Sequence, residues 1–288
     1  MKNSDPIRLF EDSEISSTLT AYLREDPAPA PALLICPGGG YENLCERAEG
    51  EPIARRFNEL GFQAFVLDYR IAPDRFPAPL HDGIRALQMI RKNAAEWNVI
   101  PDRVAVCGFS AGGHLCGMLG TIGMQIAPEI GIDPADARPD GLILSYAVLS
   151  MLPPNQHTGS RLNLLGEDAP EDLCRLCSPI FQVNGSTPPA FVWQTFHDSQ
   201  VPYPNAIEFS KALMDRNIPC ELHIYPLGDH GLQLGLGSDV ESWSGDAARF
   251  LITQWEIRDG NSREIFHSYS YNTQYKRAKI YRSPRVRS

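Results

Sequence analysis

Val104-Ala-Val-Cys-Gly108-Phe-Ser110-Ala-Gly112-Gly-His114 is an apolar run, a glycine-framed serine and the start of a helix-like stretch, 113–124. A G-x-S-x-G pattern is weak alone. Placed between a strand and a helix, it describes a tight, strained turn that lifts the serine hydroxyl to the end of a sheet. The glycines let the chain turn without a side-chain clash.

The rest of the chain supplies that sheet. Apolar runs recur at 32–36, 63–67, 104–107, 141–145, 190–193 and 221–225. They do not alternate, as expected of strands buried on both faces of a parallel sheet. Amphipathic stretches lie between them. Residues 51–60 put Ile53, Ala54, Phe57 and Leu60 on one face and stop at Gly61. Residues 80–97 repeat Leu80, Ile84, Leu87, Ile90 and Arg91 at helical spacing. Residues 205–216 and 246–255 do so with Ile207, Phe209, Leu213 and with Ala247, Phe250, Leu251. Strand–helix alternation predicts a doubly wound, mostly parallel α/β sheet with helices on both faces. Residues 7–10 and 15–23 are expected to add an antiparallel hairpin at its edge. The Pro-rich segment 128–139 reads as a surface loop. The weakly periodic segment 150–187 reads as an insert able to wall a binding site.

Length and charge bound the answer further. The 288 residues allow one domain, expected over 1–257, followed by a tail over 258–288. The net charge is −9, which argues against nucleic-acid binding. Residues 265–288 carry six cations and no acid, with Tyr269, Tyr271, Tyr275 and Tyr281 among or near them. Apolar runs reach about five residues, where a membrane span needs about twenty, so no membrane association is expected. The acid-rich first thirty residues hold no apolar signal core. Seven cysteines are scattered along the chain; as reduced thiols they fit a cytoplasmic protein. Cys174 and Cys177 have C-x-x-C spacing but lack the second pair that a structural zinc needs. No metal or organic cofactor is implied.

A serine hydroxyl needs a base, and in this arrangement the acid and then the histidine follow the serine in the chain. His230 lies in Leu227-Gly-Asp-His-Gly231, a loop after the run 221–225. His157, His197, His223 and His267 also follow Ser110, but His223 lies inside a strand and His267 in the tail. The acid is expected on the loop after 190–193, where Asp198 stands in Thr195-Phe-His-Asp198-Ser-Gln-Val-Pro202. Its role would be to orient His230 and stabilise the imidazolium. Asp229 is the alternative, disfavoured because chain neighbours rarely face one another. Acyl transfer also needs oxyanion donors. Pro37-Gly38-Gly39-Gly40-Tyr41 follows the run 32–36. A phosphate loop is the competing reading, but the Gly-Lys-Ser/Thr ending is missing. The N–H of Ala111, next after the nucleophile, is a further donor.

Taken in order, PGGGY, DYR (68–70), GFSAGGH (108–114), HTGSRLNLLG (157–166), TPPAFVWQT (187–195), Val201-Pro202 and ELHIYPLGDHGL (221–232) form a set. This set resembles the α/β-hydrolase esterases related to bacterial acetyl esterases and xylan deacetylases, cousins of the hormone-sensitive-lipase-like group. The resemblance covers about residues 30–255. It implies a serine esterase acting on short-chain esters, above all O-acetyl groups on carbohydrate, with Ser110, His230 and Asp198 as triad. By motif position Gly39, Gly40 and Ala111 would form the oxyanion hole. Gln194 departs from the usual Trp-His-Thr. Tyr41 and His157 are candidate substrate contacts. Asp68, Tyr69 and Asp82 are expected to be structural, and Arg161 to pair with an acid of the insert. The implied partner is a small-molecule or oligosaccharide ester, and homo-oligomerisation is left open. Two alternatives differ in class. A prolyl-oligopeptidase-like peptidase would normally carry a propeller domain, for which the chain is too short. A non-catalytic binding protein would lack a triad member.

Overall fold

In the computed structural model, residues 2–11 and 14–260 are described. The chain divides into two units, Met1–Leu251 and Ile252–Ser288. The first carries the sheet. The tail expected from residue 258 lies, from 261 onward, outside the described residues.

Among the described residues nine strands form one sheet: β1 (Lys2–Asn3), β2 (Ile7–Arg8), β3 (Thr18–Leu23), β4 (Ala30–Cys36), β5 (Gln63–Asp68), β6 (Val99–Phe109), β7 (Gly141–Ser145), β8 (Ala190–Thr195) and β9 (Cys220–Tyr225). Their order is β1-β3-β5-β4-β6-β7-β8-β9, with β2 also on β3. From β5 to β9 all pairings are parallel. The N-terminal strands pair antiparallel, as the hairpin reading expects. The helices of eight residues or more are α1 (Glu51–Glu59), α2 (Ala78–Lys92), α3 (Ala111–Thr121), α4 (Thr158–Leu165), α5 (Pro204–Met214) and α6 (Trp243–Arg258). This is the α/β-hydrolase fold.

The apolar runs become the strands because both of their faces are covered. Leu33, Leu34, Ile35, Val104, Val106, Leu142 and Phe191 are fully buried, each worth roughly 1.5–3 kcal/mol relative to exposure. On α1, Ile53, Ala54 and Phe57 turn inward. Residues 80–97 do not stay helical throughout. α2 ends at Lys92, where the Asn93 side chain bonds back to the Met89 carbonyl and competes with the helical ladder.

The segment 128–139 is not the plain loop expected. It holds a 3₁₀ turn, Ala127–Ile130, and a short helix, Pro134–Ala137. Asp133 caps that helix through the Ala135 N–H, with Pro134 in the first helical position that suits it. Arg91 secures the segment by donating to the Asp136 and Arg138 carbonyls and the Asp140 carboxylate.

β4 lies between β5 and β6, so the chain leaves β4 for one neighbour and returns on the other. Such a switch point opens a crevice at the carboxyl ends of the strands. Cys36 at the end of β4 is in register with Gly108 near the end of β6. The glycine loop and the serine turn therefore emerge side by side.

Candidate active site

Ser110 follows β6 with φ 52° and ψ −116°, a backbone that non-glycine residues hold only when their surroundings over-determine it. Its N–H donates to the Ser145 carbonyl, and its carbonyl accepts from His114 and Val148. A Cβ at Gly112 would run into the carbonyls of Cys36 and Pro37, so only glycine lets α3 pass this close to the end of β4.

The expected partners meet Ser110 from two other loops. His230 Nε2 lies 2.9 Å from Ser110 Oγ, and His230 Nδ1 lies 2.8 Å from Asp198 Oδ2. The Asp198 side chain is fully withdrawn from solvent. Its Oδ1 accepts the N–H groups of Gln200 and Val201, and its Oδ2 also accepts from Gln194 Nε2. A carboxylate fed by these donors assigns the His230 proton to Nδ1 and leaves Nε2 to accept from the serine. Gln194, the departure noted in the sequence, also donates to the Val201 carbonyl and so holds the acid loop. Asp229 takes a different position. It is exposed and accepts from Ser199 N, Ser199 Oγ and the His230 backbone N–H. These bonds hold its carboxyl below the usual range. It ties the two loops together without touching the imidazole.

On the glycine loop, Gly38 N–H donates to Glu49. Gly39 has φ 130° and Gly40 φ 68°. A Cβ on Gly39 would meet the backbone and side chain of Asn43. Among the described residues, the N–H groups of Gly39, Gly40 and Ala111 donate to no protein acceptor. Ala111 opens α3, whose N-terminus favours negative charge.

Tyr41 corrects one expectation. Its ring is buried, edge-on to Tyr69 and His114, and its hydroxyl bonds to His114 Nδ1 at 2.7 Å. The left-handed backbone at Tyr41, φ 60°, accompanies a ring that points into the protein, so no face is left for a substrate. His114 Nε2 donates to the Cys177 carbonyl, and burial lowers its pKa to about 4. His157 is half-buried and caps α4, accepting from Ser160 N–H through Nδ1. Its Cε1 lies 4.0 Å from where a Gly40 Cβ would stand. Burial, and then the nearby His230, lower its pKa. Asn163 on α4 donates to the Gly40 carbonyl, so the insert abuts the glycine loop. Arg161 bonds to the Gly166 and Glu167 carbonyls, not to an acidic side chain. Tyr69 donates to the Pro37 carbonyl, and Asp82 holds Arg70 and Ser17.

Two residues escaped the sequence reading. Tyr146, directly after β7, has φ 38° and packs edge-on against His230. Glu49 is buried and bonds to the Tyr146 hydroxyl. The one sequence signal for Tyr146 is its place at the carboxyl end of a strand. Glu49, set among Glu46, Arg47 and Glu51, gives none.

A serine, an imidazole and a carboxylate thus stand in hydrogen-bonded series at the carboxyl edge of this α/β-hydrolase sheet. The chain belongs to the BD-FAE family, which matches residues 21–213. The acetylxylan esterase of Xylanibacter ruminicola is 30% identical over 93% of this chain and 57% of that protein. The endo-1,4-beta-xylanase B of Butyrivibrio fibrisolvens is 37% identical over 79% of this chain and 36% of that protein. The chain thus spans between about a third and somewhat over half of these relatives' length. A solved acetyl ester-xyloside bifunctional hydrolase from Caldicellulosiruptor lactoaceticus is 34% identical, with a TM-score of 0.79 over 89% of this chain and 96% of that one.

Proposed function

We propose that the chain is a serine esterase that removes small acyl groups, above all acetyl, from carbohydrate esters. The observation that carries it is the series Asp198–His230–Ser110, closed by contacts of 2.8 and 2.9 Å. Ser110 Oγ attacks the ester carbonyl while His230 Nε2 takes its proton. The Gly39, Gly40 and Ala111 N–H groups face the negative charge that develops on the carbonyl oxygen. Collapse expels the alcohol, which receives its proton from His230, and leaves the acyl group on Ser110. Water, deprotonated by His230, then attacks that ester, and the acid leaves as His230 returns the proton to Ser110 Oγ.

The sugar reading draws on the relatives named as an acetylxylan esterase and as an acetyl ester-xyloside hydrolase. It also draws on the insert, which borders the glycine loop through His157 and Asn163, polar groups able to bond hydroxyls. Seven free thiols support a cytoplasmic location. No helix among the described residues is long and apolar enough to cross a membrane.

A pocket built for long chains gains about 0.8 kcal/mol per buried methylene, so kcat/KM would climb with acyl length. The opposite order is expected on p-nitrophenyl esters, with acetyl best and octanoyl poor, and with acetate released from acetylated xylo-oligosaccharides. A maximum at octanoyl or beyond, without acetate release, rejects the carbohydrate substrate and leaves the serine chemistry standing.

A further inference from the structure

A second carboxylate stands behind the reacting groups. Glu49 ends a short helical turn, Glu46–Glu49, and is 4% exposed. Its Oε2 accepts the Gly38 N–H at 2.7 Å, and its Oε1 accepts the Tyr146 hydroxyl at 2.7 Å. Tyr146 carries the contact onward. Its ring lies edge-on to His230 with centroids 4.9 Å apart. Its hydroxyl accepts the Gln233 N–H from the loop that bears His230. One carboxylate thereby clasps the loop of oxyanion donors to the loop of the base.

We propose that Glu49 is a positioning residue for ester hydrolysis, fixing the Gly38–Gly40 loop and Tyr146 against His230 while its charge favours the imidazolium formed as Ser110 attacks. This rests on the serine-esterase reading above.

Both partners of Glu49 are donors, so the ionised carboxylate satisfies both, whereas a protonated one would bring a third donor into the same space. Burial raises its pKa, against the pull of the Tyr146 and Gly38 bonds and of the His230 charge. With the folded value above the unfolded one, the charge burdens the fold increasingly as pH rises through that range and not below it. Packing alone would be served by a neutral residue of the same shape. Tyr146, Tyr69, Cys107 and Cys45 also face Glu49. Burial raises all four, so they are neutral at pH 7. His230 is faced by Asp198, Tyr146, His157, Glu49 and, on its own loop, Asp229.

The test is steady-state hydrolysis of p-nitrophenyl acetate from pH 5 to 9 by wild type, Glu49→Gln, Tyr146→Phe and Ser110→Ala, with thermal melting to establish folding. Glu49→Gln is expected to lose roughly 10- to 100-fold in kcat with KM within about twofold, since the interaction matters most as charge develops. Its acid limb should move to lower pH, because removing a nearby negative charge makes the imidazolium less stable. Tyr146→Phe keeps the Gly38 bond but breaks the clasp, and should lose about 3- to 10-fold. Wild-type kcat in folded Glu49→Gln, or a loss without movement of the acid limb, overturns the proposal. If Glu49→Gln does not fold, wild-type kcat in Tyr146→Phe overturns it. Activity surviving in Ser110→Ala rejects the serine-esterase reading itself. A dead Ser110→Ala beside a wild-type-like Glu49→Gln rejects only the role of Glu49.

Discussion

Ser110 and the glycine loop hang from the buried carboxyl halves of β4 and β6, whereas His230 hangs from β9, which is half-exposed along its whole length. On the serine side, packing and steric necessity set the geometry: the end of β4 leaves no room for a Cβ at Gly112, and both the N–H and the carbonyl of Ser110 are bonded. On the acid–histidine side, polar contacts between loops do the holding. Gln194 and two backbone N–H groups hold Asp198, Asp229 bridges to Ser199, and Trp243 Nε1 donates to the Gln233 carbonyl. Damage to the first side should therefore reach the whole fold more readily than damage to the second.

The largest expected effect tests whether the serine itself is chemistry and not packing. Ser110→Ala should lower kcat by roughly 10³–10⁶ with melting unchanged, because the oxyanion donors alone retain only residual catalysis. A variant that keeps a tenth of the activity would remove Ser110 from the mechanism. The next effect separates the two loop carboxylates. Asp198→Asn should cost about 10³–10⁴ in kcat, since His230 loses the acceptor that sets its tautomer, whereas Asp229→Asn should stay within about tenfold. The reverse order would make Asp229 the orienting acid and undo the loop geometry described above.

The last effect belongs to the serine side and is one on stability, not on rate. His114 is held neutral between Tyr41 and Cys177, with a folded pKa of about 4 against 6.5 unfolded. Above pH 6.5 both states are neutral there. As pH falls toward 4, the unfolded chain takes up the proton first. Urea unfolding should therefore lose up to about 3 kcal/mol between pH 7 and pH 4 from this residue. His114→Gln should show a flatter profile over that range. Equal slopes for both proteins would mean that the serine side is not tied to global stability through His114.

Much of the fold was legible because its signals are local. The apolar runs need only a few neighbours to declare a buried strand, and all six became strands. The segment 128–139 departs from the plain loop that its Pro and Gly suggest because Asp133-Pro134 is also a helix start. Tyr41 departs from expectation for another reason. Its neighbours in the chain are the oxyanion glycines, but a left-handed backbone turned its ring toward His114, 73 positions away.

By itself the sequence determined the strand–helix alternation, the glycine-framed serine turn and the candidate residues Ser110, Asp198 and His230, because residue type and short spacing carry that information. Only the tertiary structure decided which carboxylate faces the imidazole, since Asp198 and Asp229 differ in direction more than in chemistry. It alone brought Glu49 to Tyr146 across 97 positions. Side-chain direction follows from backbone angles and distant packing, and neither is written in the spacing of residues along the chain.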